Sequence, residues 1–210
     1  GKYKISNIGK IFTHIMNIFE TSIKHKDFFN THDITIIPLH LILQLGKLQT
    51  LELSSKTLQN IELWSDLVKN SEEFIYAISD QLQNSLLPIV ERNIYNQDLE
   101  ISAIIDKHLV KSYQVPKEWA QKFENPIKFY KKLNIYKNIR VLNSIKLSFV
   151  VSEKGAILFL SRDDNIDYSQ CLIDNHPSFI EWCKDLYDFY WKKAKSLKPF
   201  VRKVASSNSG

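Results

Sequence analysis

The feature that most constrains the fold is a pair of strand-like apolar runs with one helix-like segment between them. Residues 73–79 (EFIYAIS) and 99–106 (LEISAIID) are rich in aromatic and β-branched side chains, which favour strands. Residues 83–95 predict a helix with a local break at Pro88. Two such strands around one helix favour a parallel pair with a right-handed crossover. The sequence therefore predicts a mixed α/β (α+β) fold.

Hydrophobic periodicity and turn residues predict the elements around this unit. A hairpin is expected at 147–151 and 156–160, with Gly155 at a turn position that needs a positive φ. The other predictions are helices at 8–25, 39–45 (stopped by Gly46), 57–70 and 175–195, strands at 50–53 and 139–142, and short helices at 108–138 that cover the sheet. The strand at 139–142 and the two strands of the hairpin are expected to pair antiparallel.

The N-terminal helix carries a seam that is typical of paired helices. Ile8, Ile11, Ile15 and Ile18 follow alternating steps of three and four, after a possible cap at Ser6 or Asn7. A core helix within one subunit is the alternative. We favour a dimerisation helix, because little neighbouring sequence is available to cover it. The predicted organisation is a strand and dimer helix at 1–26, an α/β domain at 27–196 and a flexible tail at 197–210.

Positive charge is concentrated in two stretches of the chain, whose net charge is +5. Residues 107–140 hold nine Lys or Arg against two acids, and residues 192–203 hold six and no acid. Such segments either contact phosphates or form solvated surface, and the sequence leaves both open. No apolar run reaches the roughly 20 residues of a membrane span. Cys171 and Cys183 are too few for a disulfide framework and predict buried thiols in a reducing cytosol.

Motifs of catalysis and metal binding are absent from the sequence. No two histidines are two, three or four residues apart, and there is neither a Gly-x-Ser-x-Gly elbow nor a Walker loop. His32 and Asp33 suggest a catalytic pair, but a turn in which Asp caps a backbone N–H and His bonds locally is the favoured interpretation. We therefore predict no catalytic residues, no metal and no cofactor.

A small-molecule site is expected beyond the carboxyl ends of the two parallel strands, where open α/β sheets bind ligands. Ser79 with Asp80 follows one strand and Asp106 with Lys107 follows the other, while Lys146 or Arg162 from the hairpin adds a charge. The predicted ligand residues are Ser79, Asp106 and Lys146. The alternative is that these are ordinary polar loop residues.

Two stretches resemble a known family of regulators. Residues 27–48 (DFFNTHDITIIPLHLILQLGKL) carry an aromatic pair, His-Asp-Ile, Ile-Pro and an apolar helix that ends Gly-x-Leu. Residues 146–190 carry an apolar strand, a turn with Gly, Phe-Leu, Asp-Tyr, Leu-Ile and Phe-Ile-x-Trp before an aromatic end, with Cys183 where Gly is common. Together they resemble archaeal winged-helix transcription regulators of the methanogenesis-regulator (FilR) type.

The resemblance implies an N-terminal winged helix-turn-helix, a dimer helix and an effector-sensing domain. Residues 1–9 then form the last strand of the wing, with Lys2 and Lys4 on DNA phosphates, and the rest of the DNA-reading head is missing from this chain. The sensor is similar to a phospholipase-D-like fold, whose enzymes need His-x-Lys. The corresponding strand, 146–149 (KLSF), has no His, which implies sensing rather than hydrolysis.

We therefore expect a cytoplasmic homodimeric regulator that binds DNA through the missing head and binds a small-molecule effector. We expect no membrane partner and no enzymatic activity. A degenerate phospholipase-D-like hydrolase and a protein-interaction module are the alternatives.

Overall fold

The computed structural model describes residues 4–81, 99–112 and 135–200. Its helices are α1 (Asn7–Lys24), α2 (Lys26–Thr31), α3 (Leu39–Ile42), α4 (Thr57–Asn70), α5 (Lys107–Ser112), α6 (Ile135–Asn138) and α7 (Pro177–Lys193), with 3-10 turns at Ile34–Ile36 and Leu45–Lys47. Its strands are β1 (Glu52–Ser54), β2 (Phe74–Ser79), β3 (Glu100–Asp106), β4 (Ile139–Leu142), β5 (Leu147–Ser152), β6 (Gly155–Arg162), β7 (Asn165–Ile166), β8 (Cys171–Asp174) and β9 (Lys195–Ser196).

The strands form one mixed sheet in the order β1-β8-β6-β5-β2-β3-β4-β9, with β7 paired to β6. β2 and β3 are parallel, with Ile78 opposite Ile104. This confirms the predicted parallel pair. β4 is also parallel to β3, while all other pairs are antiparallel. The prediction that the 139–142 strand would pair antiparallel is therefore wrong for its pairing with β3.

The centre of the sheet is buried on both faces. On β5, Phe149 and Val151 pack towards α7, in one cluster with Phe179 and Trp182 of that helix. Val150 packs towards α4 on the opposite face, in one cluster with Trp64 and Val68. Alternate side chains of a strand point to opposite faces, so β5 and β6 read as nearly continuous apolar runs. The described residues thus form a sheet with helices on both faces.

The hairpin and the long helices lie where the sequence predicts them. The turn at Glu153 and Lys154 leads into Gly155, which has a φ of 150°, a value that glycine adopts more readily than other residues. α4 spans the predicted residues 57–70, and α7 begins at Pro177 with the His176 side chain as its cap. Long periodic segments are the elements that sequence patterns specify best.

The N-terminal segment differs from its prediction. Ser6 caps α1 by accepting a hydrogen bond from the Gly9 backbone N–H at 3.1 Å, so the helix begins at Asn7, inside the predicted wing strand 1–9. Residues 4–6 form no strand, and residues 1–3, including Lys2, lie outside the described part of the chain. The predicted helix at 39–45 ends at Ile42, and Gly46 lies in the following 3-10 turn rather than at a helix stop.

The C-terminal boundary also differs. β9 pairs with β4, and Leu197 is buried against Ile105 and Val141. The ordered sheet domain therefore continues past the predicted boundary at 196, and the predicted flexible tail at 197–210 begins with a core residue. The predicted helix at 83–95 and most of the predicted 108–138 helices lie outside the described residues. Among the described residues, none of the helices combines the length and the apolar character that a membrane span needs.

Candidate functional site

The three predicted ligand residues lie at one edge of the sheet. Ser79 ends β2 and Asp106 ends the adjacent parallel strand β3. Lys146 directly precedes β5, which borders β2 on its other side in the antiparallel sense. The topology therefore brings all three to the carboxyl edge of the parallel strands.

All three residues already have partners in the protein. The Ser79 hydroxyl donates to the Gln81 carbonyl at 2.7 Å and accepts from the Gln81 backbone N–H at 3.1 Å. The Asp106 carboxylate accepts hydrogen bonds from the backbone N–H of His108 at 2.6 Å and of Ile145 at 3.1 Å. Lys146 donates to Asp164 at 2.6 Å on the surface, and this contact raises the pKa of Lys146 and lowers that of Asp164. Asp106 thus fixes two loops, and Lys146 forms an exposed ion pair.

A set of polar side chains that the sequence analysis only partly identified lies beside Ser79. We call Ser79, Asp80, Ser148 and Tyr168 the hydroxyl cluster. The Tyr168 hydroxyl donates to the Asp80 carboxylate, and Ser148 donates to the Ile78 carbonyl at 3.0 Å. Burial, followed by the contact with Asp80, raises the pKa of Tyr168 well above its usual range. The phenol is therefore a neutral hydrogen-bond donor at physiological pH.

Ser161 adds an unsatisfied hydroxyl to this side of the sheet. Ser161 is only 1% exposed, and its Oγ has no hydrogen-bond partner within the described ranges. Alternation along β6 places its side chain on the same face as Phe159, whose ring lies 5.0 Å from that of Tyr168. A buried hydroxyl without a partner costs about 1–3 kcal/mol.

Asn60 of α4 positions Tyr168. Its side-chain amide is buried and donates to the carbonyls of Tyr168 at 3.2 Å and Ser169 at 3.1 Å. The amide oxygen accepts from the Ser54 hydroxyl at 2.5 Å. The segment between β7 and β8 is therefore held against α4 by a fully bonded side chain.

His32 pairs with a residue other than its neighbour Asp33. Asp33 caps its turn by accepting from the Thr35 N–H at 2.9 Å, and His32 Nδ1 lies 2.9 Å from the Phe28 carbonyl. These local bonds confirm the structural interpretation of this pair. The other ring nitrogen of His32, Nε2, lies 3.4 Å from Asp167 Oδ2.

Asp167 is held in its charged form. Burial alone raises its pKa, but hydrogen bonds from Ser169 and the nearby His32 outweigh that effect and lower the pKa. The Ser169 hydroxyl and backbone N–H both donate to Oδ1, at 2.5 and 2.8 Å. Asp167 is thus an anchored carboxylate within the β7–β8 connection.

Thiol and metal chemistry have little support in the described part of the chain. Cys171 and Cys183 are both buried and free, as predicted, and burial raises the pKa of both, that of Cys171 to about 12. No group of three or more His, Cys, Asp or Glu side chains in these ranges is arranged to hold a metal ion.

A cavity of about 390 Å³ opens at the other end of the sheet, beside the β5–β6 turn. Leu63 and Leu67 of α4 form part of its apolar wall, and Glu52, Asp66 and Asp174 bring carboxylates. Both oxygens of Asp174 already accept hydrogen bonds, from Thr50 and from the His176 N–H. This cavity was not predicted and lies away from the hydroxyl cluster.

One face of α1 packs on the sheet domain. His14 Nε2 donates to the Leu43 carbonyl at 3.1 Å, and His25 Nε2 donates to the Leu51 carbonyl at 3.0 Å. Gly46 lies so close that a Cβ there would be 2.8 Å from the Ile18 backbone nitrogen. Ile18, a predicted dimer residue, is accordingly half-buried at the edge of this intramolecular contact.

The opposite face of α1 is apolar and exposed. We call it the α1 stripe, and its members, 41 to 67% exposed, are Ile5, Ile8, Ile11, Phe12, Ile15, Met16, Phe19 and Ile23. Three of the four predicted dimer residues, Ile8, Ile11 and Ile15, belong to it. Ile18 lies outside the stripe, because the backbone at Ile18 packs closely against Gly46.

The two stretches that carry the family resemblance meet in the structure. Trp182 Nε1 donates to the Leu41 carbonyl at 2.9 Å, and the Tyr190 hydroxyl donates to the Ile36 carbonyl at 2.6 Å. With His32 and Asp167, these contacts fasten residues 27–48 to residues 146–190. The resembling motifs therefore form one structural unit.

Comparison with known proteins gives one family and several similar structures. The family model described as the middle domain of the methanogenesis regulatory protein FilR1 matches residues 59–193, more than half of the chain. A comparison with curated protein sequences finds no match.

Two of the similar solved structures are a DNA-binding protein and an enzyme. TrmBL2, described as an archaeal chromatin protein with a novel mode of DNA binding, has 12% identity and a TM-score of 0.49, over 90% of this chain and 67% of its own. The phosphatidylserine synthase of Haemophilus influenzae Rd KW20 has 12% identity and a TM-score of 0.48, over 74% of this chain and 42% of its own.

Proposed function

The chain belongs to the FilR1 middle-domain family, and we propose that it is the effector-sensing and dimerising domain of a winged-helix transcription regulator. The family is that of a regulatory protein, and its description as a middle domain supports a DNA-reading head elsewhere in the whole protein. In this proposal the domain works in the cytoplasm and without catalysis. Lys2 and Lys4 at the junction with the head contact DNA phosphates, which sets affinity rather than sequence choice.

The proposal that the domain dimerises rests on the α1 stripe. Its eight side chains offer on the order of 900 Å² of accessible surface, close to the roughly 800 Å² per partner of a standard interface. Patches of this size on soluble proteins mark interaction sites. The occupant we propose is the same stripe of a second copy, because an 18-residue helix with an uninterrupted apolar face forms a self-complementary pair.

Cysteine cross-linking tests this pairing. Phe12→Cys places a thiol in the stripe, while Thr13→Cys places one on the same helix outside it. The native thiols are buried and do not compete. We expect mild oxidation to give a disulfide-linked dimer with Phe12→Cys and little with Thr13→Cys. Equal cross-linking of the two variants, or none with either, contradicts the proposal.

The proposed effector site is the hydroxyl cluster together with Ser161, at the edge where Ser79, Asp106 and Lys146 were predicted. The Tyr168 hydroxyl and the unsatisfied Ser161 hydroxyl supply the polar groups that fix a ligand's orientation. Asp106 and Lys146 support the rim, because their own bonds hold the loops there. His32 and Asp167 link this edge to the segment on which α1 packs.

A thermal-shift screen with a panel of polar metabolites tests the effector site. We expect at least one stabilising compound whose shift is lost with Tyr168→Phe and Ser161→Val. Asp66→Ala, in the cavity at the opposite end of the sheet, is the control and should leave the shift unchanged. A compound whose shift depends on Asp66 and not on Tyr168 places the site in that cavity and overturns this part of the proposal.

A further inference from the structure

The side of the sheet formed by its outermost strands, β4 and β9, is strongly basic. We call Lys137, Arg140, Lys192, Lys193, Lys195 and Lys198 the basic edge. They come from α6, β4, the last turn of α7 and the β9 region, and no Asp or Glu occurs in residues 135–142 or 189–200. Outside the two basic stretches of the sequence, the chain holds 13 basic and 21 acidic residues. The positive charge is therefore local rather than spread over the surface.

Strand pairing draws these side chains together. β9 is the terminal strand and pairs antiparallel with β4, with Lys195 opposite Val141 and Ser196 opposite Arg140. α7 ends only two residues before Lys195. Residues that are far apart in the sequence, near 140 and near 195, thus share one exposed edge.

Two of the cations are fixed by aromatic rings instead of carboxylates. The Arg140 guanidinium lies 4.2 Å from the Trp191 ring and donates to the Trp191 carbonyl at 2.6 Å. The Lys193 ammonium lies 3.7 Å from the Phe189 ring. Such contacts hold a cation in place without neutralising it. Arg140 and Lys193 are therefore held in place by aromatic side chains of α7.

The other four cations are available to a partner. Lys137, Lys192, Lys195 and Lys198 are exposed, and within the described ranges their ammonium groups have neither a hydrogen bond nor an ion pair. Exposed ammonium groups on a rigid frame attract a dense line of negative charge such as a phosphate backbone, with release of its counterions.

We propose that the basic edge binds the phosphate backbone of duplex DNA without sequence preference. This goes beyond the proposed function, because it gives the regulatory domain a DNA contact of its own, separate from any reading head. Lysines on phosphates fix position and affinity and do not read bases. Lysines also discourage edge strands from pairing with other chains, and that simpler role predicts no DNA binding.

Fluorescence anisotropy with a short labelled duplex of mixed sequence tests the proposal. Lys195→Glu with Lys198→Glu reverses two charges of the basic edge. Lys56→Glu with Lys69→Glu makes the same change in net charge at two exposed sites, one immediately before α4 and one in its last turn. We expect the first variant to bind about tenfold more weakly at low salt and to lower the salt slope by about two. The control should stay within about twofold of the unmodified chain.

Equal weakening by both variants, or no weakening by either, overturns the proposal. So does an unmodified chain that binds phosphatidylserine vesicles in preference to the duplex. Lys192→Gln with Lys195→Gln, which removes charge without reversing it, should weaken binding in the same direction if the first variant fails to fold. Light scattering on the same samples reports dimerisation separately, so failure of this proposal is distinguishable from failure of the proposed function.

Discussion

His32 Nε2 lies 3.4 Å from Asp167 Oδ2, and this contact joins two parts of the chain that are 135 residues apart. The Nδ1 side of the ring lies against the Phe28 carbonyl, which accepts a hydrogen bond. The Phe28 carbonyl and the Asp167 carboxylate thus lie against opposite sides of the buried His32 ring. The pair thereby ties the segment beneath α1 to the β7–β8 connection beside Tyr168.

A double-mutant cycle measures this tie. We expect His32→Gln and Asp167→Asn each to lower the free energy of unfolding, and the double variant to lose less than the sum of the two. The coupling should be about 1 kcal/mol, within the range found for residues in direct contact. Urea denaturation measures it. Strict additivity of the two losses contradicts an interaction between these side chains.

Gly46→Ala tests how α1 is held on the domain. The new Cβ would meet the Ile18 backbone nitrogen at 2.8 Å, and backbone cannot move aside as a side chain does. We expect a loss of about 1–3 kcal/mol, typical of overpacking, with faster amide exchange along α1. The control is Gly9→Ala, whose Cβ would meet side-chain atoms rather than backbone, the Ile5 methyl at 2.7 Å and the Ser6 hydroxyl at 3.4 Å. That change should be neutral or stabilising, because Ala favours a helix over Gly.

Trp182→Phe tests the junction between the two motif stretches. The change leaves the Leu41 carbonyl without its indole donor in a buried position. The carbonyl keeps the hydrogen bond from the Gln44 N–H at 2.9 Å, so we expect the change to cost about 1 kcal/mol more than Trp64→Phe. Trp64 is similarly buried, and its N–H has no hydrogen bond within the described ranges. Chemical denaturation gives the difference. Equal losses for the two variants contradict a role for the indole N–H.

The buried His25 predicts that stability falls in mild acid. Burial, followed by the charge of Lys24, lowers its pKa from the usual 6.5, so the unfolded chain binds a proton at a higher pH than the folded chain. The contribution of the neutral His25 ring to folding stability is therefore complete above about pH 6.5. It is lost as the pH falls through the pKa of His25 in the folded chain. Thermal melts of His25→Gln should show a shallower decline over this window. His40→Gln, at an exposed ring, is the control, and a matching decline in unmodified chain and His25→Gln counts against the effect.

Sequence patterns predicted the elements whose periodicity is long or whose turns are specific. The α4 and α7 helices, the β2–β3 pair and the turn at Gly155 follow from local rules. The two-residue strands β7 and β9 carry no pattern of their own. β7 pairs with the end of β6 that extends beyond β8, and β9 pairs with the free edge of β4. Tertiary pairing therefore decides where such short strands lie.

The strand ends that meet at the candidate site could be predicted, but most of the side chains that come together there could not. The β-α-β pattern places Ser79 and Asp106 at one edge, as the structure has them. Nothing local indicates that Tyr168 would reach Asp80, because that contact depends on Asn60 holding the β7–β8 segment against α4. Local sequence also does not show which face of α1 is exposed. That depends on which side of the helix packs against Gly46, a contact between distant residues.

The molar mass in solution tests dimerisation through α1 most directly. The chain has a mass of 24.6 kDa, and light scattering of the unmodified protein should give twice that value. Ile15→Asp places a charge in the centre of the α1 stripe and should give a folded monomer, while Thr13→Asp on the same helix should remain a dimer. A monomeric unmodified chain, or a dimer that Ile15→Asp leaves intact, contradicts pairing through this helix.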